Sequence, residues 1–216
     1  VGQILLGFLF GKTLKHFCFV YLWARNFMLM NSKLIIADDF YEDPLDVRKF
    51  ALSQDFDVRG NFPNSRTKPL SSDSAKSTIQ KLIMPHGGKI TEWPNEYNGA
   101  FQFTTQFDRS WIHADNGTTW AALVYLTPNA PLTAGTAIFR HKETGLMEWP
   151  MDKDTQDKIN ADSQDLTKWE IVDRVGNVFN RIVLYRGYMF HQSLDYFGRD
   201  KFDGRLFQTF FFSTEF

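Results

Sequence analysis

The sequence predicts an α+β fold, a barrel or sandwich of antiparallel strands with helices packed on one side. Three observations lead there. Helical periodicity dominates only the early part, around residues 44–54 and 74–84. Beyond residue 88 the chain turns to short alternating runs separated by loops. Aromatic residues reach 16%, with 22 Phe, a bias that suits strands over disorder.

Composition narrows the function classes. At 216 residues the chain suits one domain able to bury a core without staples. The 24 basic and 25 acidic residues leave a net charge of −1, so no electrostatic signal for nucleic acid is visible. The lone cysteine, Cys18, excludes an intramolecular disulfide and Cys-rich zinc modules, and the expected setting is reducing and cytoplasmic.

Residues 1–30 stand apart. Two apolar runs, 4–10 and 17–23, flank Gly11-Lys12-Thr13-Leu14-Lys15-His16. Neither reaches the roughly 20 apolar residues of a membrane span, and no basic start or small-residue cleavage site marks a signal peptide. An imperfect anchor, a helix packed on the domain and a segment outside the working protein all remain open. The last is favoured, with Met28 and Met30 just ahead of a plausible domain start. No membrane association is expected unless 1–30 is a true anchor. A single domain is placed over 31–216, with its strand-rich core at about 99–213.

Leu34-Ile35-Ile36 predicts a first strand. Asp43-Pro44 supplies an N-cap and a first-turn proline, and Val47, Phe50 and Ala51 recur at helical spacing, so a helix over about 44–54 follows. Gly, Pro, Asn and Ser across 58–72 predict a loop. A second helix runs from Ser74 to Met84, with Ile79, Leu82 and Ile83 on one side. Strands are expected over 100–107, 118–126, 136–140, 168–174, 180–186 and 205–213, with a polar exposed helix over 152–162.

The chemistry centres on Trp111-Ile112-His113-Ala114-Asp115. Residues i and i+2 of an extended chain point to the same side, so His113 and Asp115 can offer an imidazole and a carboxylate to one metal. His191, closing the run that begins at Ile182, is the best third ligand. Two histidines and one carboxylate on one face of a metal leave other positions open, the facial triad of non-haem Fe(II) oxygenases. Alternation in Arg205-Leu206-Phe207-Gln208-Thr209-Phe210-Phe211 puts Arg205, Phe207, Thr209 and Phe211 on one face. An arginine on an inner face is costly unless a carboxylate meets it, and guanidinium matches carboxylate with two parallel hydrogen bonds.

Over about residues 99–213 the chain resembles the double-stranded β-helix (jelly-roll, cupin-like) oxygenases that use Fe(II) and 2-oxoglutarate, especially the prolyl-4-hydroxylase-like branch. The motifs are His113-Ala114-Asp115, then Val124-Tyr125-Leu126-Thr127-Pro128, Ala134-Gly135-Thr136-Ala137, the distal His191, and Gly204-Arg205-Leu206. The gap from His191 to Arg205 is long for that pattern and implies a larger loop over 195–203. The resemblance implies iron on His113, Asp115 and His191, and 2-oxoglutarate held by Arg205 with help from Tyr125. It implies hydroxylation of an unidentified C–H bond, using dioxygen and releasing succinate and carbon dioxide. The substrate would be a protein side chain or a small molecule. With Asp115 present, the halogenating variant of this chemistry is not expected. Residues 31–98 resemble only an uncharacterised subgroup.

Other readings stay open at this stage. Asp115-Asn116-Gly117 is also a turn sequence. His191 could be a satisfied core histidine, and His141 is a rival third ligand. Arg205 could be a strand-edge cation, and Tyr125 could simply pack the sheet. Arg66, in the 58–72 loop, reads as an exposed arginine before it reads as a cover for the site mouth. Trp111 and Trp120 are equally suited to the pocket or to packing, and the Phe207–Phe212 run reads as core. The rival functions are a barrel that uses the triad without 2-oxoglutarate and a binding module that has lost turnover.

Overall fold

The computed structural model describes residues 32–215, so the apolar runs of residues 1–30 lie outside the described residues. The first strand, β1 (Leu34–Ala37), is followed by helix α1 (Pro44–Leu52). Pro44 opens α1 as expected, but the Asp43 side chain makes no cap hydrogen bond. The expected loop over 58–72 contains a short strand, β2 (Ser65–Arg66). Helix α2 (Asp73–Gly87) starts where Ser72 accepts a hydrogen bond from the Ala75 amide at 3.1 Å. It runs through Pro85, past the expected end at Met84.

Strands β3 (Lys89–Glu92), β4 (Phe101–Thr104), β5 (Trp120–Tyr125) and β6 (Thr136–His141) come next. Helix α3 (Lys153–Asp162) and one 3-10 turn (Leu166–Lys168) separate them from β7 (Trp169–Val175), β8 (Ile182–Arg186), β9 (His191–Ser193) and β10 (Arg205–Glu215). Sequence pattern finds every long strand but misses β2, β3 and β9, whose two, four and three residues are too short to show a period.

The strands form two antiparallel sheets. The major one is seven-stranded in the order β1-β8-β5-β10-β4-β2, with β3 paired to the end of β10. The minor one is β7-β6-β9. Strand pairing does not join the two into a closed barrel. Between β5 and β6 the chain passes through Pro128 and Pro131, which have no amide hydrogen to extend a ladder.

Period-two alternation explains the layers. Trp120, Ala122 and Val124 of β5, Leu184 of β8 and Phe210 and Phe212 of β10 face outward and pack with Ala51 of α1 and Ile79 and Ile83 of α2. Leu123 and Tyr125, Val183 and Tyr185, and Phe207 face inward and meet Ile138 and Val175 of the minor sheet. Strand β5 is therefore buried along its whole length. Each of the Val, Leu, Ile and Phe side chains among these contributes about 1.5–3 kcal/mol on full burial. On the far face of the minor sheet, Phe139, Trp169 and Phe190 pack with Ile159 of α3.

Candidate metal centre and its cavity

The site lies where the segment 111–115 runs beside β9. His113 and His191 pair backbone to backbone, and on its other side His191 pairs with Ile138 of β6. Asp115 is tied down by its amide, which donates to the Gly187 carbonyl at 2.7 Å. The turn sequence starting at Asp115 also forms: residues 116–117 turn and Gly117 takes φ +117°. The turn and the ligand readings of Asp115 are therefore compatible.

His113, Asp115 and His191, far apart in sequence, come together. One ligand atom from each lies within 4.8 Å of the others. His191 Nε2 is 3.3 Å from Asp115 Oδ2, and His113 Nε2 is 3.8 Å from Oδ1. Each imidazole is oriented by a carbonyl two residues earlier: His113 Nδ1 meets Trp111 O at 3.0 Å, and His191 Nδ1 meets Met189 O at 2.9 Å. A carbonyl only accepts, so Nδ1 carries the proton in both rings. Nε2 of each ring then lies on the Asp115 side and is the atom left for a metal.

Burial, reinforced by the neighbouring His191, pushes the His113 pKa down to about 4, so this ring is neutral near pH 7. Burial alone would raise the Asp115 carboxyl. The adjacent His191, through charge and hydrogen bond, with His113 and Arg66, outweighs burial and holds it below the ordinary carboxylate range. Two neutral imidazoles and an ionised carboxylate are the donor state for a divalent first-row metal, and as a facial set they leave positions for other ligands.

The triad opens into a cavity of about 810 Å³. Phe207, Thr209 and Phe211 of β10 line it, with Thr136 of β6 and Tyr185 of β8. The Phe207–Phe212 run is thus divided: Phe207 and Phe211 face the cavity, Phe210 and Phe212 the outer core. Trp111 lines the cavity with its ring 5.6 Å from that of His113. Trp120 instead packs outward and donates from Nε1 to Thr214 at 3.1 Å.

Arg205 is fully buried at the start of β10. Its Nε donates to Ala134 O at 3.1 Å, and its Nη2 reaches Thr136 Oγ1 at 3.5 Å. Among the described residues its Nη1 has no hydrogen-bond partner and no carboxylate pairs with this guanidinium. Thr136 Oγ1 also meets the Tyr125 hydroxyl at 2.9 Å, and the guanidinium lies 4.3 Å from the Phe207 ring. Arg205 therefore stands directly behind two residues of the cavity wall, Thr136 and Phe207. A buried cation with an idle donor is a site shaped for an anion, since leaving it unpaired costs about 1–3 kcal/mol or more. Gly135 lets the Ala134 carbonyl reach this position: a Cβ on it would fall 1.8 Å from the Val175 carbonyl oxygen.

His141 is not a ligand. It is buried away from the triad, with Nε2 3.0 Å from Asp162 and Nδ1 3.0 Å from Thr144, against the Trp169 ring. Sequence reasoning passed over one residue of the cavity, Tyr185, and placed the cavity reading of another, Arg66, second. Tyr185 sits with its ring 4.4 Å from that of His191. Its signal was available, since it shares the inner face of β8 with Val183. Arg66, expected to be exposed, lines the cavity from β2.

Among the described residues no helix is long and apolar enough to cross a membrane. The sequence profile of a family described as "Family of unknown function (DUF6445)" matches residues 24–212. No curated protein matches the chain. In fold, the chain is similar to HygX from Streptomyces hygroscopicus, solved with nickel and 2-oxoglutarate bound. The identity is 12%, the coverage 86% of this chain and 84% of HygX, and the TM-score 0.58. It is also similar to SnoN, a non-heme alpha-ketoglutarate-dependent epimerase from nogalamycin biosynthesis, at 13% identity, with 88% of this chain and 83% of SnoN covered and a TM-score of 0.51. AviO1 from Streptomyces viridochromogenes Tue57 gives 13% identity, 85% and 91% coverage and a TM-score of 0.50.

Proposed function

Because the chain belongs to the family of unknown function DUF6445 and has the fold of the Fe(II)/2-oxoglutarate-dependent oxygenases, we propose that it is itself such an oxygenase, hydroxylating a C–H bond. Residues 31–216 act in this reading as one domain, and the two sheets are the two halves of a double-stranded β-helix. His113, Asp115 and His191 hold Fe(II), Arg205 holds the far carboxylate of 2-oxoglutarate, and Tyr125 assists it. The observation that carries the reading is the idle Nη1 of Arg205, a buried donor without a partner behind the wall of the triad's own cavity. HygX has also been solved with iron bound, and with nickel, 2-oxoglutarate and hygromycin B bound.

The side chains fit these tasks. Both histidines keep Nε2 for the metal, because their Nδ1 atoms are engaged by the Trp111 and Met189 carbonyls. Asp115 supplies one negative charge, so the triad leaves a divalent ion with a net positive charge for an anionic co-substrate. Thr136 fixes the plane of the Arg205 guanidinium and the direction of the Tyr125 hydroxyl at once. When bound, the metal with 2-oxoglutarate and dioxygen supplies the oxidising power for the C–H bond, with succinate and carbon dioxide released. Phe207, Phe211, Trp111 and Tyr185 surround the centre with apolar surface that limits water there. The substrate is a small molecule or a protein side chain entering through the same cavity.

Anaerobic addition of Fe(II) and 2-oxoglutarate tests the reading. A weak visible charge-transfer band is expected, followed on admission of air by succinate. Metal binding without the band would instead favour a triad that works without 2-oxoglutarate.

A further inference from the structure

We propose that Arg66 is the substrate-recognition residue of this cavity and that the substrate carries a carboxylate, which its guanidinium meets end-on. The inference rests on the oxygenase reading for the charge balance of the loaded site, and on geometry for the rest.

The guanidinium is held as a binding group. Arg66 lies on β2, opposite Gln102 of β4. Its Nε donates to Gln102 Oε1 at 2.7 Å, and Gln102 is itself anchored by donating to Pro63 O at 2.7 Å. The Phe62 ring covers one face, 4.0 Å from Cζ, and the Phe211 ring lies 5.9 Å away. With Nε engaged and the face covered, the two terminal nitrogens remain. Neither makes a hydrogen bond or ion pair to a described residue. Burial pushes the Arg66 pKa down to about 10, which still leaves it charged at neutral pH.

Charge decides what it is for. Of the described residues lining the cavity, Arg66 is the one arginine or lysine and Asp115 the one carboxylate. In the loaded site the divalent metal and Arg205 carry three positive charges. Asp115 and doubly ionised 2-oxoglutarate carry three negative ones. Arg66, partly buried against the Phe62 ring, is left without a counter-charge, and an unpaired cation held there is costly. Two parallel terminal N–H groups match the two oxygens of a carboxylate. The rest of the wall, with Phe62, Trp111, Trp149 and Tyr196 interleaved with Asn61 and Ser110, suits an aromatic or aliphatic body beside that carboxylate.

The test uses the full chain loaded with Ni(II) and 2-oxoglutarate and titrated with phenylacetate, phenylacetamide or inorganic phosphate, followed by ligand-observed NMR. Phenylacetate is expected to bind about ten-fold more tightly than its amide. That preference should vanish in Arg66→Gln and survive in part in Arg66→Lys, while 2-oxoglutarate affinity stays within about two-fold. Equal binding of acid and amide by the wild type, or a preference that persists in Arg66→Gln, overturns the proposal. So does phosphate binding more tightly than phenylacetate. A ten-fold loss of 2-oxoglutarate affinity in Arg66→Gln would also overturn it, by placing Arg66 in the co-substrate site. Repeating the titrations on metal-free protein separates the two readings. If the wild type never binds 2-oxoglutarate but still prefers phenylacetate through Arg66, the oxygenase reading fails and the anion subsite stands.

Discussion

His113 and His191 exchange both of their backbone hydrogen bonds, at 3.1 and 2.9 Å, so their imidazoles rise from a single closed backbone pair. The ligand geometry is set by main chain, and replacing a side chain leaves it standing. His113→Ala and His191→Ala should therefore fold while losing more than about 100-fold in metal affinity, beyond the 10–100-fold typical of outer-shell changes. Isothermal titration with Ni(II), beside circular dichroism, checks both halves.

Metal removal should lower thermal stability for the same reason, since the pair is preformed but its Nε2 and carboxylate atoms are left facing one another. A metal at about 100 times its dissociation constant adds roughly 2.7 kcal/mol, about 5–10 °C for a domain of this size. A melting temperature unchanged by chelation would show that the triad holds no ion.

Arg205 predicts opposite signs for stability and for binding. Without an anion it is a buried cation with an idle Nη1. Arg205→Met should leave the protein free of co-substrate as stable as the wild type or more so, since apolar replacement of an unpaired buried charge is neutral to favourable. It should at the same time weaken 2-oxoglutarate binding by about 10–100-fold, the worth of a charge-assisted bidentate pair. Metal affinity should barely move. Chemical denaturation with and without 2-oxoglutarate reads both signs.

Acid should destabilise the metal-free protein through the triad. His113 has a folded pKa near 4 against an ordinary value of 6.5. The unfolded chain therefore takes up the proton first as pH falls. The stability contributed by the neutral ring is complete above about pH 6.5 and is lost as pH drops through about 4. The lowered Asp115 pKa acts in the same direction at lower pH. Melting temperatures across pH 7 to 4 should fall in the wild type and fall less in His113→Gln.

Much of the site was legible because it obeys period two. His113 and Asp115 share a side of an extended segment. Arg205, Phe207, Thr209 and Phe211 share a face of β10, and the structure divides them from Leu206, Phe210 and Phe212 as alternation requires. The choice between an exposed and a cavity-lining Arg66 was not legible, because its placement depends on Gln102 and Phe62, one a cross-strand partner and the other in a loop with no periodicity. The same applies to the exclusion of His141, which is decided by Asp162 at the far end of α3. The separation into two sheets was equally hidden, since pairing between distant strands leaves no local trace.

Gly187 offers a test of how tightly the site is built. The Asp115 amide donates to its carbonyl at 2.7 Å. A Cβ on Gly187 would sit 2.6 Å from Thr118 O and 2.8 Å from Asp115 O, both backbone atoms that cannot rotate away. Gly187→Ala should therefore push the 115–118 segment off β8, at about 1–3 kcal/mol of stability, as overpacking does. Because Asp115 moves with that segment while the His113–His191 backbone pair does not, metal affinity should fall although every ligand side chain is intact. Arg205 lies on β10 and is not displaced, so any 2-oxoglutarate binding that persists without metal should be unchanged. Equal losses of metal and of metal-free 2-oxoglutarate binding would indicate general unfolding instead of a shifted carboxylate.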